Sequence, residues 1–162
     1  MSYDLTLLTI QPGATLEQEY ESFIEACESD RPREKRLDQE AILAAIKEHY
    51  PDAARFDGEE YVELTVADDS QGVQFTVYGD HVGVSLPYWS TEAEAHRSAS
   101  TLLGACAHLR DRFGLHAFDP QLGRELTPEQ DLPDVLGAFG YGTRALRATV
   151  AGLRRPWWKL WG

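Results

Sequence analysis

The chain contains 162 residues, is 43% hydrophobic and 26% charged, and carries a formal net charge of −12 at pH 7. No apolar run approaches the ~20 residues that cross a bilayer, and the first residues lack the basic and apolar regions of a signal peptide. The two cysteines are far apart in the sequence, which argues against a disulfide framework and favours a cytoplasmic location. Because nucleic-acid affinity depends on neutralising phosphates, a protein this acidic is not expected to bind DNA or RNA.

The first third of the chain predicts a strand followed by two helices. Residues 3–10 alternate between apolar and polar side chains and end at Pro12. Thr15 and Gln18 form a capping box that predicts the start of a helix. Its apolar residues fall on one stripe, which places Cys27 in the core. A second helix is predicted to follow the break at residues 29–32 and to run to Tyr50.

Residues 61–89 predict a three-stranded antiparallel meander. Gly79-Asp80 is typical of a two-residue hairpin turn with glycine first, and residues 68–71 form a second turn. Both turns predict the same register, since a slip by one residue would move every side chain to the other face. The predicted cross-strand pairs are Val77–Val82, Phe75–Val84, Val73–Leu86, Val66–Val73, Leu64–Phe75 and Val62–Val77.

The rest of the chain predicts a long helix from Thr91 to Gly114 with Cys106 on its buried side, then a short strand over residues 115–118. A final helix is predicted over residues 134–153. Helices packed on one face of a mostly antiparallel sheet form an α+β fold, and a ferredoxin-like variant is the expected architecture. We expect a single α+β domain over residues 1–153 and a basic, tryptophan-rich tail over residues 154–162.

The sequence offers no recognisable catalytic or metal-binding motif. Its histidines form neither an HExxH nor a Cys/His finger pattern. Cys106 lies among apolar residues, where burial makes a thiol inert. We therefore expect no catalytic residue, no metal and no cofactor, and an activity that is not enzymatic.

Three surfaces remain as candidate binding sites. The first, the open sheet face, is the outward side of the meander and comprises Tyr61, Glu63, Gln74, Thr76, Tyr78 and His81. The second, the acidic ridge, follows the helical spacing of Glu17, Glu21, Glu25 and Glu28. The third is the tail, whose predicted contact residues are Arg154, Arg155, Trp157, Trp158, Lys159 and Trp161. Exposed tryptophans beside cations suit a protein groove, a second copy of the chain or a membrane surface.

Two segments resemble a pattern in small acidic bacterial proteins. The first is Gly83-Val84-Ser85-Leu86-Pro87-Tyr88-Trp89 followed by a long helix, and the second is Phe118-Asp119-Pro120-Gln121-Leu122-Gly123-Arg124. The opening Ser2-Tyr3-Asp4-Leu5 is similar too. Some of these uncharacterised proteins are like the immunity proteins that accompany bacterial toxins. The resemblance implies a bacterial α+β domain with an immunity-like role and carries over no catalytic residue.

These observations favour a non-enzymatic interaction module of the bacterial cytoplasm that binds a basic protein partner, as an immunity-type or regulatory protein would. Acidic surfaces suit such partners because opposite charge steers and accelerates the encounter. A small-molecule-binding domain or enzyme using the corner of Tyr61, Tyr78 and His81 is the alternative. Peripheral membrane attachment through the tail is a third hypothesis, and self-association stays open.

Overall fold

A computed structural model describes residues 2–29, 31–66, 72–87, 92–138 and 140. In this part of the chain the strands are β1 Ser2–Thr9, β2 Ala54–Asp57, β3 Val62–Thr65, β4 Gln74–Val77, β5 Val82–Pro87, β6 Leu115–Asp119 and β7 Arg124–Glu125. The helices are α1 Leu16–Glu28, α2 Gln39–His49 and α3 Glu92–Phe113, and a fourth helical segment covers residues 132–138.

All seven strands belong to one sheet in the order β2-β3-β4-β5-β1-β6-β7, and every neighbouring pair is antiparallel. The prediction of an α+β fold with helices on an antiparallel sheet is confirmed. The strands β1, β4, β5 and β6 alternate with helices in the β-α-β-β-α-β order of a ferredoxin-like fold. The sheet is larger than predicted, because β2 and β3 extend it beyond β4 and β7 extends it beyond β6.

The predicted register of the meander is confirmed. Val62 pairs with Val77, Leu64 with Phe75, Phe75 with Val84 and Val77 with Val82. The Val66 amide also donates to the Val73 carbonyl at 2.9 Å. Val62, Val77 and Val82 face the main core. Because side chains alternate along a strand, their neighbours Tyr61, Tyr78 and His81 lie on the opposite face of the sheet.

The glycine of the hairpin turn serves a different purpose from the predicted one. Gly79 does not adopt the positive φ that a glycine-first turn requires. Instead it is buried, and its carbonyl accepts the amides of Arg36 and Leu37, both at 2.8 Å. A Cβ at Gly79 would come within 2.8–2.9 Å of the Lys35 side chain. The turn needs glycine because another segment of the chain crosses it closely.

That crossing segment is where the second helix was predicted to begin. Residues 31–38 are not helical, and α2 begins at Gln39 with the Asp38 side chain accepting the Ala41 amide at 3.1 Å. Gln39 Nε2 donates to the Val77 carbonyl at 2.9 Å, which ties the start of α2 to the same hairpin. Tertiary bonds to the hairpin thus replace the first predicted turns of the helix.

The two faces of the sheet are covered differently. The main core lies between one face and the helices α2 and α3, with Leu5, Phe75, Ile46 and Leu102 among its fully buried residues. The segment 132–138 joins this side through Val135. Helix α1 contacts β1 and β6 on the opposite face, where a second cluster forms around Leu8, Leu16 and Phe118. α1 therefore covers part of the face that the sequence predicted to be open.

Among the described residues, no helix is both long and apolar enough to span a membrane.

Candidate functional site

The open sheet face consists of cross-strand rows of polar side chains. Glu63, Thr76 and Gly83 form one row, which Thr6 of β1 extends. Thr65, Gln74 and Ser85 form the next row, which Asp4 extends. These residues are half-buried by one another, and small side chains occupy the middle of the face. The structure thus brings the predicted sheet-face residues together and adds β1 to their surface.

Aromatic rings border these rows on the side of the β4–β5 hairpin. Tyr78 stacks on His81 with ring centroids 4.3 Å apart, and Tyr61 lies 5.6 Å from Tyr78. Phe56 of β2 continues the row at 6.5 Å from Tyr61 and is 59% exposed. Phe56 was missed because β2 was not predicted, although its position five residues before Tyr61 placed it next to the meander.

The aromatic row continues beneath α1 and shows how that helix crosses the sheet. Phe23 lies 4.6 Å from His81 at the β4–β5 hairpin, and Tyr20 stacks on Phe118 of β6 at 4.1 Å. α1 therefore runs obliquely from β6 toward the hairpin. The amphipathic stripe dictates this contact, because Leu16, Tyr20 and Phe23 share one side of the helix.

The acidic ridge lies on the flank of α1 opposite to the one that contacts the loop after β1. The other flank is fixed by Glu19, which accepts the amide of Gln11 at 3.1 Å just beyond the end of β1. At ~100° per residue, the ridge residues lie about 120° to 180° from Glu19 around the helix. They therefore point away from the end of β1, to the side of α1 and into solvent. Because α1 lies on the same face of the sheet as the open rows, the ridge and the rows are on one side of the molecule, and together we call them the acidic surface.

The four ridge glutamates are exposed, as predicted. Glu25 lies 3.8 Å from Arg31, and both side chains are largely in solvent. Within the described parts of the chain, Glu17, Glu21 and Glu28 have no cation at ion-pair distance. The negative charge of this flank is consequently almost uncompensated, and Glu63 and Asp4 add carboxylates to the floor beside it.

A cavity of about 360 Å³ opens where the C-terminal end of α1 overhangs the hairpin. Phe23, Cys27, Tyr78 and His81 line it. The prediction that Cys27 is a core residue is wrong, because its side chain is exposed. Cys27 does lie on the inner stripe of α1, but the sheet ends beneath it and the thiol faces the cavity instead of packed side chains.

His81 is held in place within this cavity. Its Nδ1 lies 2.9 Å from Asp80 Oδ1, and Asp80 Oδ2 lies 2.9 Å from Arg33 Nε. Burial lowers the pKa of His81, although the neighbouring carboxylate of Asp80 opposes this effect. The lowered pKa favours the neutral imidazole of His81 at pH 7, and Asp80 orients its Nδ1.

The remaining candidates for chemistry are dispersed. Cys106 is buried in the core, as predicted. Burial raises the pKa of its thiol to about 12, which makes the thiol inert at neutral pH. The ring centroids of His49 on α2 and His108 on α3 are 4.2 Å apart. His116 lies elsewhere, with its Nδ1 2.7 Å from Glu125 Oε1 of β7. Across the described residues, no group of three His, Cys, Asp or Glu side chains could hold a metal ion.

The predicted tail contacts at residues 154–162 lie outside the described residues, so the tail hypotheses stay predictions.

No family model, no curated protein and no solved structure matches this chain.

Proposed function

We propose that this protein is a non-enzymatic interaction module that binds a basic protein partner on the acidic surface. The observation that carries the proposal is the position of α1. Because α1 lies on the same side of the sheet as the open rows, the ridge and the rows lie on one side of the molecule and both carry carboxylates. Had all helices packed on the opposite face, the ridge and the rows would be separate patches.

The chemistry of the surface supports a partner rich in lysine or arginine. Glu17, Glu21 and Glu28 are free to pair with incoming cations, and the floor of hydroxyl and small side chains leaves room for long side chains. The exposed ring of Phe56 and the half-buried ring of Tyr61 border the surface and suit cation–π contact with arginine. Long-range attraction from a protein of net charge −12 would also accelerate the encounter.

Binding of an oligo-arginine peptide tests this proposal at the level of residues. In a two-dimensional NMR titration at low salt, we expect the amides of Thr76, Gly83 and Ser85 to shift, and the shifts to diminish as salt screens the attraction. An oligo-glutamate peptide of the same length should leave these amides unchanged.

Two charge reversals provide a matched comparison. Glu21→Lys changes the ridge, whereas Asp52→Lys makes the same change of charge at an exposed residue after α2, away from the acidic surface. We expect Glu21→Lys to weaken peptide binding by about threefold or more and Asp52→Lys to have little effect. With a native partner isolated from the host, Glu21→Lys should likewise slow association. Equal effects of the two reversals, or peptide-induced shifts spread evenly over the protein, would contradict the proposal.

A further inference from the structure

The cavity beneath the end of α1 is a second site, separate from the acidic surface and independent of the function proposed for it. Its walls come from the C-terminal end of α1, the segment of residues 31–35 and the β4–β5 hairpin. A volume of about 360 Å³ is in the range that holds small ligands.

Positive charge is concentrated in this cavity, in contrast to the rest of the protein. Arg31, Arg33 and Lys35 line it together with the acidic residues Glu60 and Asp80. Asp80 pairs with Arg33 at 2.9 Å, and Glu25 lies 3.8 Å from Arg31. With His81 neutral, the three cations of the lining exceed its two acidic residues by one charge.

Two of the cations have unused binding capacity. Arg33 Nε is buried beside Asp80 Oδ2 at 2.9 Å, whereas the two terminal nitrogens of Arg33 have no acceptor among the described residues. The stem of Lys35 packs against Gly79, and no described carboxylate lies within ion-pair distance of its ammonium group. The terminal nitrogens of Arg33 and the ammonium group of Lys35 can donate charge-assisted hydrogen bonds to an anionic ligand.

The other side of the cavity is aromatic. Phe23 and His81 are 4.6 Å apart, and Tyr78 stacks on His81 at 4.3 Å with the rings nearly parallel. Arg33 also lies over the Phe23 ring at 5.4 Å. Such walls favour a flat or apolar body that can pack against rings.

We propose that this cavity binds a small organic anion, a carboxylate or phosphate ester with a planar body, with the anionic group on Arg33 and Lys35 and the body against Phe23 and Tyr78. Cations and rings converge here from three segments that are distant in sequence, so only the folded protein presents the site. Carboxylate and phosphate share the recognition chemistry, and the experiment distinguishes them.

The thiol of Cys27 gives a local readout of occupancy. Cys27 lines the cavity and is exposed, whereas Cys106 is buried. Native protein would be alkylated with iodoacetamide at constant ionic strength, and modification of each cysteine followed by mass spectrometry. We expect benzoate or phenyl phosphate to slow alkylation of Cys27 at least threefold at saturation. Whichever of the two protects at the lower concentration identifies the preferred anion. Benzylammonium, which has the same ring and the opposite charge, should not protect, and Cys106 should stay unmodified throughout.

A matched pair of variants connects protection to the cations. Lys35→Met keeps the stem that packs on Gly79 and removes the charge, whereas Lys47→Met makes the same change on the exposed end of α2. We expect Lys35→Met to raise the concentration needed for protection at least threefold and Lys47→Met to leave it unchanged. The proposal is overturned if neither anion protects Cys27, if benzylammonium protects as well as benzoate, or if the two variants behave alike.

Discussion

Gly79 lies where the segment before α2 crosses the β4–β5 hairpin, and its missing side chain is what permits the crossing. Its carbonyl receives two amides from that segment at 2.8 Å, so the backbones cannot separate to admit a larger residue without losing these bonds. Lys35 covers the glycine from the outside. The segment that carries the cations of the cavity is thus held by contacts with a single residue of the turn.

Alanine substitutions at two glycines should have opposite effects on stability. Gly79→Ala would place a Cβ within 2.8–2.9 Å of the Lys35 stem, so we expect a loss of about 1–3 kcal/mol in the free energy of unfolding. Gly104→Ala is the control, because no atom lies within 4 Å of the new Cβ on the exposed side of α3. It should gain roughly 0.5–1 kcal/mol through helix propensity. Urea denaturation of both variants measures the contrast, and a neutral Gly79→Ala would show that the crossing can relax.

At the scale of elements, the last described helical segment is attached to the sheet through β7. Arg124 of β7 bonds Asp131 through both terminal nitrogens, at 2.7 and 3.1 Å, and Asp134 at 2.7 Å. Asp131 also accepts the amide of Thr127 at 2.6 Å. This carboxylate therefore closes the turn before residues 132–138 and fixes their position against the core through Val135.

Removing Asp131 should destabilise the protein only while the carboxylate is charged. Asp131→Ala should cost about 1–2 kcal/mol at neutral pH, since it removes a partly buried hydrogen-bonded group. The hydrogen bond with Arg124 holds the pKa of Asp131 below its ordinary value, so the unfolded state binds the proton more tightly. The contribution is consequently present above the acid range and lost as the pH falls through it.

Urea denaturation at pH 7 and at pH 3 tests this prediction, with the difference between wild type and Asp131→Ala expected to shrink at pH 3. Asp134→Ala is the matched control, because Asp134 is largely exposed and makes one bond with Arg124. It should cost only a few tenths of a kcal/mol. Equal losses in both variants, or a loss at Asp131 that does not depend on pH, would contradict the role of this carboxylate.

At the level of elements, the sequence predicted α1 and the three-stranded meander correctly but missed the two short strands that extend the sheet. The capping box of Thr15 and Gln18 is present at the start of α1, and the meander has the predicted register. β2 was missed because the alternation of Ala-Arg-Phe-Asp extends over only four residues, all of them exposed at the sheet edge, and so short a pattern does not distinguish a strand from a loop. β7 was missed because two residues carry no periodic signal.

For the whole molecule, the distribution of buried residues shows which part of the chain the described fold needs. In the described ranges, every buried apolar residue lies between Tyr3 and Val135. The acidic surface and the cavity are also complete within these limits. The contacts predicted for the tryptophan-rich tail lie outside these ranges and stay a prediction.

Deletion of residues 156–162 should leave the domain folded and reduce its association with itself or with a partner. We expect the free energy of unfolding to change by less than about 0.5 kcal/mol, because no described core residue is removed. Analytical ultracentrifugation of both forms measures self-association. Attraction between Arg154, Arg155 and Lys159 and the acidic surface of another copy is the expected cause.

Vesicle flotation separates this contact from membrane attachment. The acidic body opposes binding to anionic lipid, so neither form should float with anionic liposomes. Flotation of the intact protein but not of the truncated form would instead assign the tail to a membrane surface.

The sequence by itself determined the local features of this protein: the register of the meander, the capping of α1, the inert placement of Cys106 and the spacing of the acidic ridge. Each depends on side chains close together in the chain, where the periods of strands and helices restrict the outcome. Only the tertiary structure decided on which face of the sheet α1 lies. The same amphipathic stripe could pack on either face, and this choice determines whether the ridge joins the open rows and whether Cys27 meets a core or a cavity.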